Sequence, residues 1–598
     1  MAATRTFTLA AVMALGATGA KALDALVFQV VGNDAELTET IRNSSLLAET
    51  VRGEDRQDGD LFGAAQAEYG RLVGAMYAVG RYSPVVSVTL DGREAATIAP
   101  LNAPDDIRRI VVRVDPGPQF RFSRAQVAPI LTGTELPDGF RAGEPAESGL
   151  IQDAVKAGID RWRDLGFAKA ETRGQRIAAD HRAQTLSADV ALSPGPRLRF
   201  GPVTVAGNER MSARRVEKIA GIPEGEQFSP EELEASANRL RRTGIFSSVT
   251  LTEGTPVAPD LLPIEMTVVE QKTRRYSIGA EISSSEGASL TGYWLHRNLL
   301  GGGERLRVDA GVENIGAQNS GRDYNLGVTL ERPATITADT TASVNAAVAK
   351  LDEEDYTSDS LTFGIGFSHI FTEELTASVG LQYTYSDVTD DSGDYVFETV
   401  ALPFGAIWDT RDDDLDATDG WYLNALATPW AGLGGTESGG QLTFDARTYY
   451  SFGTPRRLTL AGRVQGGQVF GPDPLETPRN YLFYSGGGGT VRGQPYQSLG
   501  IYPDPSDPDF KIGGTAFLAA SVEARVMVTE NIGVVGFFDA GSVGVDDFMD
   551  TGEDFHSGAG LGIRYDTGVG PIRFDVAAPV SGGTGEGVQI YVGIGQAF

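Results

Sequence analysis

The amino-acid sequence predicts an α+β region of three small repeats followed by a sixteen-stranded antiparallel transmembrane β-barrel. Three observations lead to this fold class. An apolar segment of secretory type begins the chain, a period of about 80 residues runs through the first half, and segments of alternating apolar and polar residues fill the second half. We therefore expect a secreted protein that crosses a membrane with strands.

Residues 1–22 are typical of a secretory signal peptide. Arg5 supplies the positive charge, apolar and small residues follow, and Ala20-Lys21-Ala22 fits a cleavage site. The alternative is an uncleaved anchor helix, but the apolar stretch is shorter than the roughly 20 residues that span a bilayer. The mature chain is predicted to begin directly after Ala22.

The composition excludes several classes of function. The 598 residues include no cysteine, four histidines and a formal net charge of −30. Absence of cysteine rules out a disulfide framework and thiol chemistry, and His181, His296, His369 and His556 lack metal-ligand spacing. The acidity argues against nucleic acid as a partner, because no basic face is present.

The first half of the mature chain repeats one pattern. A helix ends in glycine, an aromatic residue comes next, and a strand follows. The glycines are Gly80, Gly166 and Gly244, and glycine favours the left-handed turn that ends a helix. The motif of residues 116–122 also recurs at residues 194–200. We predict repeats at residues 23–115, 116–194 and 195–272, followed by the barrel at residues 273–598.

Each repeat resembles a POTRA domain, a unit of one strand, two helices and two further strands. The third repeat is the clearest match, since Ser229 and Pro230 are the residue types of a helix N-cap and first helical position. The resemblance implies that open sheet edges bind extended peptides by strand addition. The alternative is that the repeats are inert spacers.

From Arg274 onward, segments of roughly ten residues alternate between apolar and polar side chains, as in transmembrane barrels. A lipid environment cannot satisfy an open sheet edge, so the sheet must close. In the last segment one face carries Val588, Ile590, Val592 and Ile594, and the other carries Gln589, Tyr591, Gly593 and Gly595.

The predicted connections alternate in length, as expected for a barrel with long outer loops and short periplasmic turns. A soluble β-sandwich or propeller would explain neither this alternation nor the signal peptide. The predicted outer loops include residues 351–359, 386–394 and 542–555, and the predicted periplasmic turns include residues 371–374, 452–455 and 529–531.

The longest predicted connection, residues 470–513, lies between strands eleven and twelve and carries a glycine run followed by an arginine motif. Alternation in the later strands directs several side chains toward the barrel interior. A guanidinium there can donate two parallel hydrogen bonds to a carboxylate and stack on an aromatic ring. The loop motif is Val491, Arg492, Gly493 and Tyr496, and its predicted interior partners are Glu523, Phe537 and Asp539.

These residues resemble the outer-membrane assembly superfamily that includes BamA, TamA and the two-partner secretion exporters, with TamA the most similar. In that superfamily a loop arginine reaches back into the barrel and pairs with the acid of a Phe-x-Asp-x-Gly strand, here Phe537 to Gly541. Gln494 replaces the aromatic residue that follows the family's Arg-Gly. The resemblance implies a structural role for Arg492.

The resemblance also implies a function and partners. The chain would insert or translocate β-rich proteins such as autotransporters across the bacterial outer membrane, with its repeats in the periplasm. Unfolded outer-membrane proteins would be its clients, and a TamB-like protein anchored in the inner membrane would dock on POTRA 1. Incoming strands would pair at a lateral seam formed by Gly279, Gly593, Gly595 and Phe598.

Alternatives remain open. The chain could be a two-partner secretion exporter, a general BamA-like insertase or, in another class, a passive porin-like channel. No enzyme, cofactor or metal site is expected: there is no P-loop or Gly-x-Ser-x-Gly elbow. Asp412, Asp414 and Asp416 resemble a calcium loop, but Ala417 and Leu423 replace the glycine and glutamate that an EF-hand requires.

Overall fold

A computed structural model describes residues 23–598 except 33, 54–57, 258, 285, 318–319, 454–456, 505–509, 530, 546–554, 568–569 and 586. The predicted signal peptide lies outside the described residues. The chain forms two compact units: one contains the first two repeats and short parts of the third, and the other contains the rest of the third repeat and the barrel. None of the described helices is long and apolar enough to cross a membrane.

Three small sheets, each with packed helices, precede the barrel. The first repeat contains β1 (Ala25–Val30), α1 (Ala35–Ser44), α2 (Leu46–Arg52), α3 (Asp58–Ala78), β2 (Val85–Leu90), β3 (Arg93–Glu94) and β4 (Arg109–Asp115). The second contains β5 (Arg121–Ala128), α4 (Ser148–Asp164), β6 (Glu171–Asp180) and β7 (Thr185–Ser193). The third contains β8 (Arg199–Ala206), α5 (Ala213–Ala220), α6 (Pro230–Arg242), β9 (Phe246–Glu253) and β10 (Leu261–Glu270).

The three sheets share one connectivity, with orders β1-β4-β2-β3, β5-β7-β6 and β8-β10-β9. In each, the last strand lies between the first strand and a middle strand, which accounts for the period in the sequence. The glycines after α3, α4 and α6 all have positive φ, at 75° for Gly80, 92° for Gly166 and 66° for Gly244. Each helix therefore ends at the residue that tolerates a left-handed turn.

The second repeat departs from the two-helix pattern. Between β5 and β6 the described chain has one α-helix, α4, and residues 129–147 form turns instead of a helix. Prolines and glycines recur from Pro129 to Pro145, and both residue types disfavour a helix interior. The first repeat, in contrast, has three helices between its first two strands.

The second half of the chain forms a closed antiparallel barrel. Its strands are β11 (Arg274–Ser283), β12 (Gly287–His296), β13 (Arg305–Ile315), β14 (Asp323–Arg332), β15 (Thr340–Asp352), β16 (Tyr356–Ile370), β17 (Leu375–Asp390), β18 (Gly393–Ala401), β19 (Phe404–Asp409), β20 (Gly420–Leu433), β21 (Gly439–Phe452), β22 (Leu458–Phe470), β23 (Ala516–Met527), β24 (Ile532–Gly544), β25 (Phe555–Tyr565), β26 (Ile572–Ser581) and β27 (Gln589–Ile594).

The strands β18 and β19 are two halves of one barrel strand. Both pair with β17 on one side and β20 on the other. The break falls at Leu402 and Pro403, because proline has no N–H to donate to the ladder. The barrel therefore has sixteen strands, and the predicted fold class is confirmed.

Two predicted outer loops are wrong. Residues 351–359 and 386–394 mostly continue the barrel ladder, since β15 extends to Asp352 and β17 to Asp390. Polar residues can extend a ladder outside lipid because backbone pairing does not depend on side-chain polarity. Of the third predicted loop, 542–555, the ends belong to β24 and β25 and residues 546–554 lie outside the described part.

The third repeat contacts the barrel turn between β14 and β15 through arginines of α5 and α6. Arg215 Nη2 donates to the carbonyl of Pro333 at 2.7 Å. Arg239 Nε lies 3.1 Å from both carboxylate oxygens of Asp339, and Arg242 donates to the same carboxylate. Burial alone would raise the pKa of Asp339, but the two guanidinium groups outweigh it and lower that pKa.

Candidate functional site

The connection between β22 and β23 folds back into the barrel. Short bridges pair Ser485 with Leu499 and Ile501 with Ile512. The apolar side chains of this loop pack against the inward faces of β23 and β24, for example Val543, which is fully buried. The interior is therefore filled by the loop at this level, and its polar groups must find partners inside the barrel.

Arg492 lies at the centre of these contacts and is 3% exposed. Its Nε and Nη2 donate to the two carboxylate oxygens of Asp539 at 2.7 and 3.0 Å, and its Nη1 donates to Glu523 at 2.7 Å. The guanidinium carbon lies 3.6 Å from the ring centroid of Phe537. The structure thus brings together the loop arginine and all three of its predicted partners, in the bidentate geometry that favours arginine over lysine.

The ion pairs extend beyond the predicted set. Asp575 lies 3.5 Å from Arg492 Nη1 and accepts hydrogen bonds from Arg564, and Arg525 donates to Glu523 at 2.8 Å. Three guanidinium groups and three carboxylates therefore form one buried network. A carboxylate and a guanidinium can remain charged in such an interior because each is paired and hydrogen-bonded.

Asp575, Arg564 and Arg525 were not predicted as members of the site. The alternation of polar and apolar residues placed all three on inward faces, so the sequence contained a signal. Their convergence depends on the strand register, which pairs Ser521 with Asp539 and Gly562 with Asp575. That register is a relation between neighbouring strands, which alternation within a single strand does not reveal.

Glycines make room for the loop backbone. Gly493 has a φ of 93°, and a Cβ there would lie 2.7 Å from the carbonyl oxygen of Ala578. On the facing strand, a Cβ at Gly558 would overlap the carbonyl oxygen of Arg492. The Val491-Arg492-Gly493 motif therefore combines a buried side chain, an ionic anchor and a close backbone approach.

Gln494 replaces an aromatic contact with hydrogen bonds. It is fully buried, and its Nε2 donates to the carbonyls of Ser557 at 2.8 Å and Ser581 at 3.0 Å. Its Oε1 accepts a bond from Thr584 at 3.0 Å. The loop therefore binds the rim of β25 and β26 through an amide.

Tyr496 points to another part of the wall. Its hydroxyl donates to Glu353 in the connection between β15 and β16, at 3.2 Å. Burial and the neighbouring Asp323 carboxylate raise the pKa of Glu353 to about 8. Tyr496 is thus not part of the Arg492 ion network, although the sequence grouped the two residues in one motif.

The seam, which is the interface between β11 and β27, has a short ladder. Ile282 pairs with Val592 and Ser283 with Tyr591, whereas β11 pairs with β12 along its whole length. Ser284 Oγ extends the contact by donating to Gln589 at 2.6 Å.

Two of the residues that the sequence assigned to the seam, Gly279 and Gly593, do not face each other. Continuing the antiparallel register places Glu281 opposite Gly593. The Arg573 guanidinium reaches across to Glu281 at 2.5 Å. Closure of a barrel fixes this stagger, and no local sequence feature records it.

The chain leaves the barrel wall after Ile594. Gly595 has a φ of 91°, and its N–H donates to the carbonyl of Pro571 at 2.7 Å. Phe598 then packs on Tyr449, and its backbone oxygen accepts a bond from Arg525 at 2.9 Å. The sequence placed Gly595 on a face of the last strand, but in the structure Gly595 follows the end of that strand.

Two routes connect the loop arginine to this final segment. One runs from Arg492 through Glu523 and Arg525 to the Phe598 backbone. The other runs through Asp575 and Arg564, whose Nε donates to Gln596 at 2.7 Å. The position of the loop and the inward turn of the last residues are thus parts of one bonded network.

A closed sixteen-stranded barrel with an inward loop arginine and preceding α/β repeats defines a class of outer-membrane protein. The sequence profile of the Omp85 superfamily domain matches residues 298–598, and the POTRA profile, a surface antigen variable number repeat, matches residues 198–271. The chain belongs to the Omp85 superfamily. Its barrel lies in the outer membrane and its POTRA region in the periplasm.

Two curated relatives are outer membrane protein assembly factors named BamA. The protein from Nitratidesulfovibrio vulgaris is 25% identical over 452 residues, which are 73% of this chain and 55% of the relative. The protein from Neorickettsia risticii is 22% identical over 414 residues, 66% of this chain and 54% of the relative. The chain thus spans about half the length of these relatives.

Solved structures show the same fold. BamA from Haemophilus ducreyi lacking POTRA domains 1–3 has a TM-score of 0.62 and 18% identity, and the match covers 80% of this chain and 100% of that chain. CdiB from Escherichia coli has a TM-score of 0.50 and 14% identity, with 80% of this chain and 91% of that chain covered.

Proposed function

We propose that this protein is an outer-membrane assembly factor that inserts or translocates β-rich proteins by pairing their strands at the seam. The observation that carries the proposal is the short ladder between β11 and β27 in a barrel whose other strands pair over most of their length. The likeness to BamA relatives supports the same class of function.

The physical reason lies in unpaired backbone groups. Between Arg274 and Glu281, β11 has no ladder partner on its seam side among the described residues. In hydrocarbon each unsatisfied N–H or C=O group costs several kcal/mol. An incoming strand that donates and accepts at this edge would satisfy those groups, which is the physical basis of strand addition.

The finer proposals concern clients and partner. We propose autotransporters and unfolded outer-membrane proteins as clients, and a TamB-like inner-membrane-anchored protein as partner of the first repeat, in keeping with the predicted likeness to TamA. No enzymatic step and no cofactor is part of this proposal. Deleting residues 24–114 should abolish co-purification of the partner while the barrel remains heat-modifiable on gels. Retained co-purification would move the contact to another repeat.

A reversible crosslink tests the seam. Ile282→Cys with Val592→Cys joins directly paired residues across the seam. Val534→Cys with Ile563→Cys is the matched control, since these residues also pair directly and face lipid but lie on the fully laddered β24–β25 interface. The natural chain has no cysteine, so no other disulfide can form.

The expected result is that oxidation of the seam pair blocks insertion of an autotransporter β-domain and that reduction restores it, while the control pair has no effect. Full insertion with the seam crosslinked would overturn the proposal. Secretion of a single client through a crosslinked seam would favour the two-partner exporter. A steady conductance that is indifferent to the crosslink, without insertion activity, would favour the passive channel.

A further inference from the structure

The glycine run of the inward loop lies against both strands of the seam. The N–H of Gly488 donates to Glu286 Oε1 at 3.1 Å, and Glu286 lies in the turn that follows β11. The N–H of Gly493 donates to the hydroxyl of Tyr591 in β27, also at 3.1 Å. A single loop segment, residues 486–493, therefore bonds to both sides of the seam; we call it the clasp segment.

Packing explains why this segment is glycine-rich. Gly487 has a φ of 90°, and a Cβ there would overlap Glu286 Oε1. A Cβ at Gly488 would lie 3.3 Å from the Tyr591 ring. Gly489, in contrast, faces open space. Within the glycine run, the backbone thus approaches the seam closely at Gly487 and Gly488, which face Glu286 and Tyr591.

The clasp segment and the seam ladder occupy the same level of the barrel. Tyr591 is 1% exposed and is itself half of the Ser283–Tyr591 pair. Arg492, within the clasp segment, is anchored to Asp539 on β24. The two seam strands are therefore bonded, through one backbone segment, to a strand three positions from β27 that pairs along its whole length.

We propose that the clasp segment holds the seam closed from inside the barrel, and that Glu286 and Tyr591 are the positioning residues through which it does so. The inference rests on the proposed function only for the role of the seam as the entry point of clients. Loss of these two hydrogen bonds would remove the contact through which the clasp segment connects β11 with β27. Arg492 would stay bound to its carboxylates.

Amide hydrogen exchange of the full chain in lipid nanodiscs measures this effect directly. The test variant is Glu286→Ala with Tyr591→Phe, which removes both acceptors and leaves the ring. Loss of both hydrogen bonds should make exchange in peptides covering β27 about tenfold faster or more. Glu286→Gln keeps an oxygen acceptor and should restore slow exchange when combined with the native Tyr591.

Tyr496→Phe is the matched control. It also removes a phenol hydroxyl of the same loop, but this hydroxyl bonds to Gln497 and to Glu353 between β15 and β16, away from the seam. Exchange in β27 should remain that of the native protein. Equal exchange in β27 for the test variant and this control would overturn the proposal.

The outcomes separate the clasp from the proposed function. Faster exchange in the test variant, combined with full insertion activity of the seam-crosslinked protein, would support the clasp and refute the seam as entry point. Unchanged exchange, combined with loss of activity on crosslinking, would refute the clasp and leave the proposed function standing.

Discussion

Two interfaces of the barrel wall, β23–β24 and the seam between β11 and β27, differ greatly in the length of their antiparallel ladders. Between β23 and β24 the ladder runs from Ala516 to Met527, and the charged groups on the inner side are paired with Arg492. At the seam the ladder is limited to residues 282–283 on β11, and the contacts there are loop amides and the Arg573–Glu281 pair instead of a buried ion network.

The comparison shows how one barrel can combine a strongly held stretch of wall with a weakly held one. A loop anchored by buried charges cannot leave without exposing several unpaired ions to a low-dielectric interior. A seam held by a few backbone bonds can open at much lower free energy. The Arg492 network therefore makes the wall at β24 the more rigid of the two regions.

Breaking the anchored region should have the largest effect. Arg492→Ala leaves Asp539 and Glu523 buried with incomplete pairing, and loss of one partner of a buried ion pair costs about 3–5 kcal/mol. Urea unfolding in detergent should report a loss of that size, and assembly activity should fall although the barrel still inserts. Arg307→Ala, which removes the exposed pair with Asp309, is the control and should cost less than about 1 kcal/mol. Equal unfolding midpoints for the two variants would contradict the ionic anchor.

Backbone geometry should have the next largest effect. Gly493→Ala forces a side chain into a left-handed conformation and against the Ala578 carbonyl, at a cost of about 1–3 kcal/mol. Gly489→Ala, in the same clasp segment but with open space around it, should be nearly neutral. The two variants are compared by the temperature at which the band of the folded, heat-modifiable barrel disappears from a gel. A fall of similar size in both variants would show that the loop is not held closely at Gly493.

Weakening the seam alone should change stability less. Ser284→Ala removes the hydroxyl that donates to Gln589 and accepts from the Ile590 N–H at 3.0 Å, a loss of about 1 kcal/mol. Exchange of the Ile590 amide should accelerate while the β23–β24 amides stay protected. Ser451→Ala, which removes a hydroxyl contact between β21 and β22, should leave the seam unchanged. Parallel acceleration in both regions would mean that the two are not independent.

The smallest effect concerns the third repeat, which contacts the barrel away from both regions. Asp339→Asn should cost about 0.5–1 kcal/mol at neutral pH, because the pairs with Arg239 and Arg242 are partly exposed. The pKa of Asp339 is lowered in the folded protein, so its contribution exists above the unfolded pKa of about 3.9 and is lost as the pH falls through the folded value.

Proteolysis of the third repeat between pH 7 and pH 3 tests this contact. Cleavage in the native protein should accelerate as the pH falls toward the folded pKa, and in Asp339→Asn this added acceleration should be absent. Seam exchange should be the same in both proteins. An identical pH dependence of cleavage would exclude Asp339 as the titrating group.

Local patterns predicted most of the architecture. Side-chain alternation gave the sixteen strands because a wall between lipid and interior imposes that period on every strand. It also gave the inward faces of Glu523, Phe537 and Asp539. The glycines at the helix ends were predictable because few other residues adopt the left-handed turn there.

The features that the sequence did not predict depend on strand register, or on a choice between loop and strand that local composition does not decide. Asp575 and Arg564 joined the network through strand pairing, and Glu281 faced Gly593 through closure of the barrel. The acidic segment at residues 386–394 continued as strand because its backbone found partners, which composition does not reveal. Gln494 stands where the family has an aromatic residue, and its amide donates to two carbonyls, which an aromatic ring cannot do. Tyr496 binds Glu353 and does not join the Arg492 network.

The separation of contacting residues along the chain predicts that the two regions form at different stages of folding. Arg492 lies 31, 47 and 83 residues from Glu523, Asp539 and Asp575, whereas Ser284 and Gln589 are 305 residues apart. Contacts between distant residues require a larger loss of chain entropy and form more slowly. We expect the C-terminal strands to assemble around the loop while the barrel is still open, so that the seam is the last part of the wall to form.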